Sequence, residues 1–107
     1  MVSELAAAVA QAFAVDGALA RSDGRFMPRA AQDELAARVA QAVEQRETLV
    51  AEAGTGVGKT FAYLVPLLLS GRRALVSTAT KSLQDQLFLR DLPRLRDALG
   101  VPVRMAL

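Results

Sequence analysis

The chain has 107 residues, 52% of them hydrophobic, with 13 Lys and Arg against 11 Asp and Glu and a formal charge of +2. That is enough apolar material for one small domain, or for part of a larger one, and it excludes wholesale disorder. Without cysteine or histidine, these residues can build no disulfide, no cysteine zinc site, no iron–sulfur site and no Ser-His-Asp triad.

Charge divides unevenly along the chain. Residues 1–47 carry seven acids and five bases, and residues 48–107 carry four acids and eight bases. A basic second half suits a phosphate-bearing partner, and equally an ordinary solvated surface. Aromatics, at 5%, are too few for a base-stacking platform. No apolar run approaches the ~18 residues that a membrane span requires. The apolar stretch Leu5–Val15 follows Glu4 rather than Lys or Arg, which makes it a poor signal peptide. A soluble, cytoplasmic protein with no membrane partner is expected.

Leu5, Val9, Ala12 and Phe13 recur at helical spacing behind a capping Ser3, and Asp16-Gly17 ends or interrupts that helix. Ser22-Asp23-Gly24 and Pro28 read as a loop. The next helix spans Ala30 to Gln45, with Leu35, Val39 and Val43 on one face. From Thr48 the pattern changes. Residues 48–51 form a short apolar run ending in a glycine-rich turn, consistent with a buried strand. A helix from Lys59 to Leu69 follows, with Pro66 expected to kink or end it and Ser70-Gly71 to stop it. Residues 74–77 read as a second buried strand. Lys81 to Leu99 reads as a long helix with a break at Pro93 and a stop at Gly100, and residues 101–107 as a third strand. Alternation of strand and helix predicts α/β architecture: a parallel sheet joined by right-handed crossovers, incomplete in this chain and preceded by an N-terminal helical segment.

The turn between the first predicted strand and its helix reads Ala53-Gly54-Thr55-Gly56-Val57-Gly58-Lys59-Thr60, the spacing of a phosphate-binding P-loop with Ala53 where the strictest pattern has glycine. The glycines let main-chain N–H groups approach a polyphosphate closely. The following helix turns its N-terminal dipole toward the anion. Lys59 can reach the β- and γ-phosphates, and the Thr60 hydroxyl can ligate Mg²⁺. A dinucleotide-binding turn is disfavoured, because its glycine spacing differs and it has no use for the Lys-Thr pair.

Residues 52–66 closely resemble motif I of the DinG/YoaA branch of XPD-like, superfamily 2 DNA helicases. Two further segments match in the same order: Arg29-Ala30-Ala31-Gln32 resembles the Q-motif, and residues 77–87 resemble motif Ia. The resemblance implies a RecA-like P-loop NTPase lobe over residues 26–107, with residues 1–25 a variable lead-in. It implies that the Gln32 amide reads adenine, which a side chain with both a donor and an acceptor can do; the alternative is a polar residue in the first turn of a helix. Arg29 either supports that contact or binds the nucleotide's periphery. Thr78, Thr80 and Lys81 are expected to touch the backbone of single-stranded DNA, the alternative being a helix cap by Thr80 and a solvated lysine. Arg72, Arg73, Arg90, Arg94 and Arg96 read as surface charge.

Hydrolysis needs an acidic residue after a later strand, and no strand-ending Asp-Glu pair follows Lys59. The resemblance implies an acidic box, a second lobe and a 4Fe-4S cluster on four cysteines in the parent protein, none of which lies in these residues. The expected function is therefore the N-terminal ATP-binding part of an ATP-dependent helicase acting on single-stranded or forked DNA, inactive alone. Two other readings stand beside it: a nucleotide-binding module of another P-loop ATPase family, and a non-enzymatic remnant of a shortened gene.

Overall fold

The computed structural model describes residues 3–54 and 58–107. Among the described residues six α-helices follow one another: α1 Glu4–Ala12, α2 Ala18–Ser22, α3 Ala30–Gln45, α4 Lys59–Ser70, α5 Lys81–Gln86 and α6 Leu92–Leu99, with a π-helical turn, Leu87–Asp91, between the last two.

Local chemistry accounts for most of their ends. Ser3 Oγ accepts the Ala6 N–H at 3.0 Å and caps α1. Gly17 opens α2 at a buried position where a Cβ would press into the carbonyl oxygens of Gln11 and Ala12. Helices α4 and α6 stop at Gly71 and Gly100, both left-handed.

Helices α3 and α4 lie side by side and run the same way. Near their starts Gln32 Nε2 donates to the Gly58 carbonyl at 3.1 Å, and near their ends Arg72 Nη1 donates to the Val43 carbonyl at 2.6 Å. Ala36, Ala40 and Ala62 are fully buried, and side chains this small allow close approach. Helix α1 crosses the pair in the opposite sense, since Ser3 Oγ at its start donates to the Glu44 carboxylate near the end of α3. The core so formed holds Val9, Phe13, Leu19, Leu64, Val65 and Leu95.

Two sequence expectations are corrected by the structure. Of the two outcomes expected at Pro66, a kink or an end, the end is ruled out: α4 runs on to Ser70 with Pro66 among its fully buried side chains, and core packing offsets the backbone hydrogen bond a proline removes. The three expected strands are also not formed. Residues 48–51, 74–77 and 101–107 carry no strand, nor does any other described residue. Parallel strands obtain their hydrogen bonds only from neighbours in register, and these segments have none. Val50 and Leu75 are consequently 93% and 97% exposed.

The predicted break at Pro93 falls one turn earlier than the proline itself. The N–H of Leu92 bonds to the Leu87 carbonyl, an i→i+5 pattern. Widening the helix there makes room for a proline ring that would crowd the carbonyl four residues back.

Candidate nucleotide site

Helices α3 and α4 and the π-turn converge on an open cleft of about 390 Å³, within the ~300–1,000 Å³ typical of small-molecule sites. Gln32, Gly58, Lys59, Thr60 and Arg29 all line it. Gly58 is left-handed, with φ 75°, and directly precedes the first turn of α4. Only glycine takes that conformation without strain.

Gln32 is the most constrained member of the site. The residue is 5% exposed, its amide nitrogen is committed to the Gly58 carbonyl, and its Oε1 is buried with no partner among the described residues. Such an acceptor costs free energy until a donor meets it. The last glycine of the glycine-rich loop is thus tied to the glutamine, side chain to backbone. Lys59 is exposed at the first position of α4, and Thr60 is half-buried beside it. Ala53 and Gly54 are described but do not line the cleft. Thr55, Gly56 and Val57 lie outside the described residues.

The far wall comes from residues that no sequence motif marks. Gln86, Arg90, Asp91 and Arg94 line the same cleft from the π-turn and its flanking helices, and Arg25, Phe26 and Met27 line it from the loop before α3. Arg90 and Arg94, read from the sequence as surface charge, are exposed toward this cleft. Gln86, Arg90 and Arg94 recur at helical spacing, which groups them but does not say which way they point. Asp91 is buried at 7% exposure, and Arg90 Nε lies 3.4 Å from its Oδ1.

At the rim, the Arg25 backbone N–H donates to Asp23 Oδ1 at 3.0 Å. That bond holds the Asp23 carboxyl below its ordinary pKa against the opposing effect of desolvation, with further help from the charges of Arg25 and Arg94. Burial, and then the charge of Asp91, push the Tyr63 phenol above its ordinary value.

The expected DNA-contacting residues are not part of this cleft. Thr78 Oγ1 donates to the Thr80 carbonyl at 3.0 Å, and Thr80 Oγ1 accepts the Leu83 N–H at 3.1 Å to cap α5, with Lys81 exposed. Among the described residues no cluster of carboxylates can hold a metal ion, and no helix is long and apolar enough to cross a membrane.

Comparison with known proteins gives this arrangement a context. The chain is 48% identical over 99 residues to the ATP-dependent DNA helicase YoaA of Haemophilus influenzae, matching 92% of the chain and 16% of that protein. It is 48% identical over 95 residues to YoaA of Escherichia coli, covering 89% of the chain and 15% of the relative. Similarity to the ATP-dependent helicase DinG of Mycobacterium tuberculosis reaches 52% over 75 residues, covering 66% and 11% respectively. The chain thus spans under a fifth of the length of these relatives. No solved structure matches. The family model for DEAD/DEAH box helicases matches residues 32–105, from the buried glutamine through the π-turn to the last extended segment, and carries with it the P-loop NTPase fold. The chain belongs to the DEAD/DEAH box helicase family.

Proposed function

We propose that this chain is the N-terminal ATP-binding part of an ATP-dependent DNA helicase of the DinG/YoaA type, which couples hydrolysis to movement on single-stranded DNA and to unwinding. The observation that carries the reading is the junction of Gln32 with Gly58. It joins an adenine-reading candidate to the end of a phosphate loop, at the head of a helix whose dipole favours anions.

The residues fit ATP. The buried, unpartnered Gln32 Oε1 suits a donor such as the adenine exocyclic amine. Lys59 supplies a point charge for the β- and γ-phosphates, and the N–H groups at the start of α4 contribute beside it. Thr60 is the candidate Mg²⁺ ligand, and bound Mg²⁺ would neutralise charge developing on the phosphates. Arg29 lies at the nucleotide's edge. In the whole protein, residues 48–51, 74–77 and 101–107 become strands of a parallel RecA-like sheet. Thr78, Thr80 and Lys81 then face DNA phosphates at its carboxyl edge. The water-positioning acid, the second lobe and the ligands of a 4Fe-4S cluster come from outside these residues. The chain alone binds nucleotide weakly and unwinds nothing.

Thermal unfolding with and without ATP·Mg²⁺ tests the site. Ligand at a hundredfold excess over Kd should stabilise the chain by about 2.7 kcal/mol, and Lys59→Ala should lose most of that. No ATP-dependent shift in the unsubstituted chain would overturn the reading. In the whole protein, ATPase activity should rise with single-stranded DNA. Indifference to DNA would favour a nucleotide-binding module of another P-loop ATPase family.

A further inference from the structure

The P-loop and the Q-motif account for one side of the cleft. The opposite side is built by the π-turn and α6, and its exposed charges, Arg90 and Arg94, are cationic. Among the described residues five of those lining the cleft are cationic (Arg25, Arg29, Lys59, Arg90 and Arg94), against one lining acid, Asp91, with Asp23 beside Arg25 at the rim. Like charges gathered on one concave surface repel one another, and a low-dielectric wall sharpens their field. The anion that relieves them is a polyphosphate.

The backbone has a feature that aims this wall. The π-turn spans Leu87–Asp91, and π-turns inside helices recur at functional sites because they rotate the following side chains out of ordinary register. Here Arg90 and buried Asp91 belong to that turn, and Arg94 follows one turn later on α6. Asp91 lies 3.4 Å from Arg90 Nε, so it fixes the base of the guanidinium. The Arg90 side chain remains 57% exposed at the cleft. A guanidinium held at Nε still presents its outer N–H groups as a fork, which matches two phosphate oxygens. An independent sign of a ligand sits across the cleft: the unpartnered, buried Oε1 of Gln32.

We propose that Arg90 and Arg94 form a second phosphate-binding arm, which closes on the nucleotide's phosphates from the side opposite the P-loop, with Asp91 positioning Arg90. This rests on the cleft being the ATP site. On this view ATP binding has two electrostatic contributors of different origin: Lys59 with the N–H groups at the start of α4, and the α5–α6 rod. Nucleotide occupancy would thereby be coupled directly to the segment that follows the expected DNA-contacting residues.

The experiment is titration of the 107-residue chain and its variants with ATP·Mg²⁺, with a fluorescent single-stranded oligonucleotide in a parallel series. R90Q and R94Q should each raise the Kd for ATP by about tenfold, the loss of one charge-assisted bond. R90K should retain part of the affinity. R104Q, an equal loss of charge at an exposed residue outside the cleft, should bind ATP as the unsubstituted chain does. Circular dichroism melts check folding, and R94Q decides should R90Q unfold. If R90Q and R94Q bind ATP no more weakly than R104Q, the second arm is overturned and the ATP site stands. If they weaken oligonucleotide binding but not ATP binding, the arm is overturned in favour of a DNA contact. If the unsubstituted chain binds no ATP, the site itself is overturned and the arm with it.

Discussion

Helix α4 and the extended segment after it carry the same kind of side chain and meet opposite fates. Leu64 and Val65 are closed off from solvent, while Leu75 is almost wholly exposed, as is Val50 ahead of the glycine-rich loop. A helix satisfies its N–H and C=O groups internally and needs only a packing partner for its apolar face. A strand leaves those groups to its neighbours, and without them its side chains have no surface to share. The helices therefore hold Gln32, Gly58, Lys59 and Arg90 around one cleft without help from a sheet. The extended segments contribute no wall to it.

The largest effect expected from this contrast is on stability. Leu64→Ala should cost about 2–5 kcal/mol, the range for deleting a buried leucine side chain. Leu75→Ala should stay within about 0.5 kcal/mol, as exposed substitutions do. Urea denaturation measures both. A loss at Leu75 comparable to that at Leu64 would mean that the 74–77 segment finds a packing surface in solution, and the contrast between helix and segment would collapse.

A second comparison lies within the phosphate loop. A Cβ at Gly54 meets nothing among the described residues within 4 Å, whereas at Gly58 it runs into the Gln32 amide in a backbone with φ 75°. Gly58→Ala should therefore destabilise the chain by about 1–3 kcal/mol and reduce ATP affinity, with Gly54→Ala much milder. Repeating Gly58→Ala in a Gln32→Ala background removes the collision and leaves the backbone strain, so the difference isolates what the glutamine contributes.

Much of this was legible in the sequence, for a local reason. Ser3, Thr80, Gly71 and Gly100 act on backbone within a turn of themselves, so helix ends can be read from single residues. The P-loop could be named because its residue types and spacing carry the chemistry, and Gln32 because residues 29–32 resemble the Q-motif. The side-chain bond from Gln32 to Gly58 joins residues 26 positions apart and depends on how α3 lies on α4, which no local pattern encodes. Arg90 and Arg94 looked like solvated charge because their direction depends on a π-turn. Pro93 hints at a disturbance there without giving its form. Strand pairing was the least legible feature: an apolar run states a preference, and its partners decide whether that preference is met.

The smallest expected effect is a pH dependence at the packed side of the same contrast. Burial on α4 pushes the Tyr63 phenol above its ordinary value, and the charge of Asp91 adds to the shift. The folded chain then holds the phenolic proton more tightly than the unfolded chain does. By linkage, Tyr63's contribution is fully present below the unfolded pKa of about 10 and fades as pH rises through the higher folded value. Lysines titrate in the same region, so the readout is the difference between two proteins. Denaturant midpoints followed upward from pH 9 should fall more steeply for the unsubstituted chain than for Tyr63→Phe. Asp91→Asn should narrow that difference without abolishing it, because burial is the larger cause. Parallel curves for all three proteins would mean that Tyr63 is solvated in solution, and α4 would then be less firmly packed at the cleft than its apolar face implies.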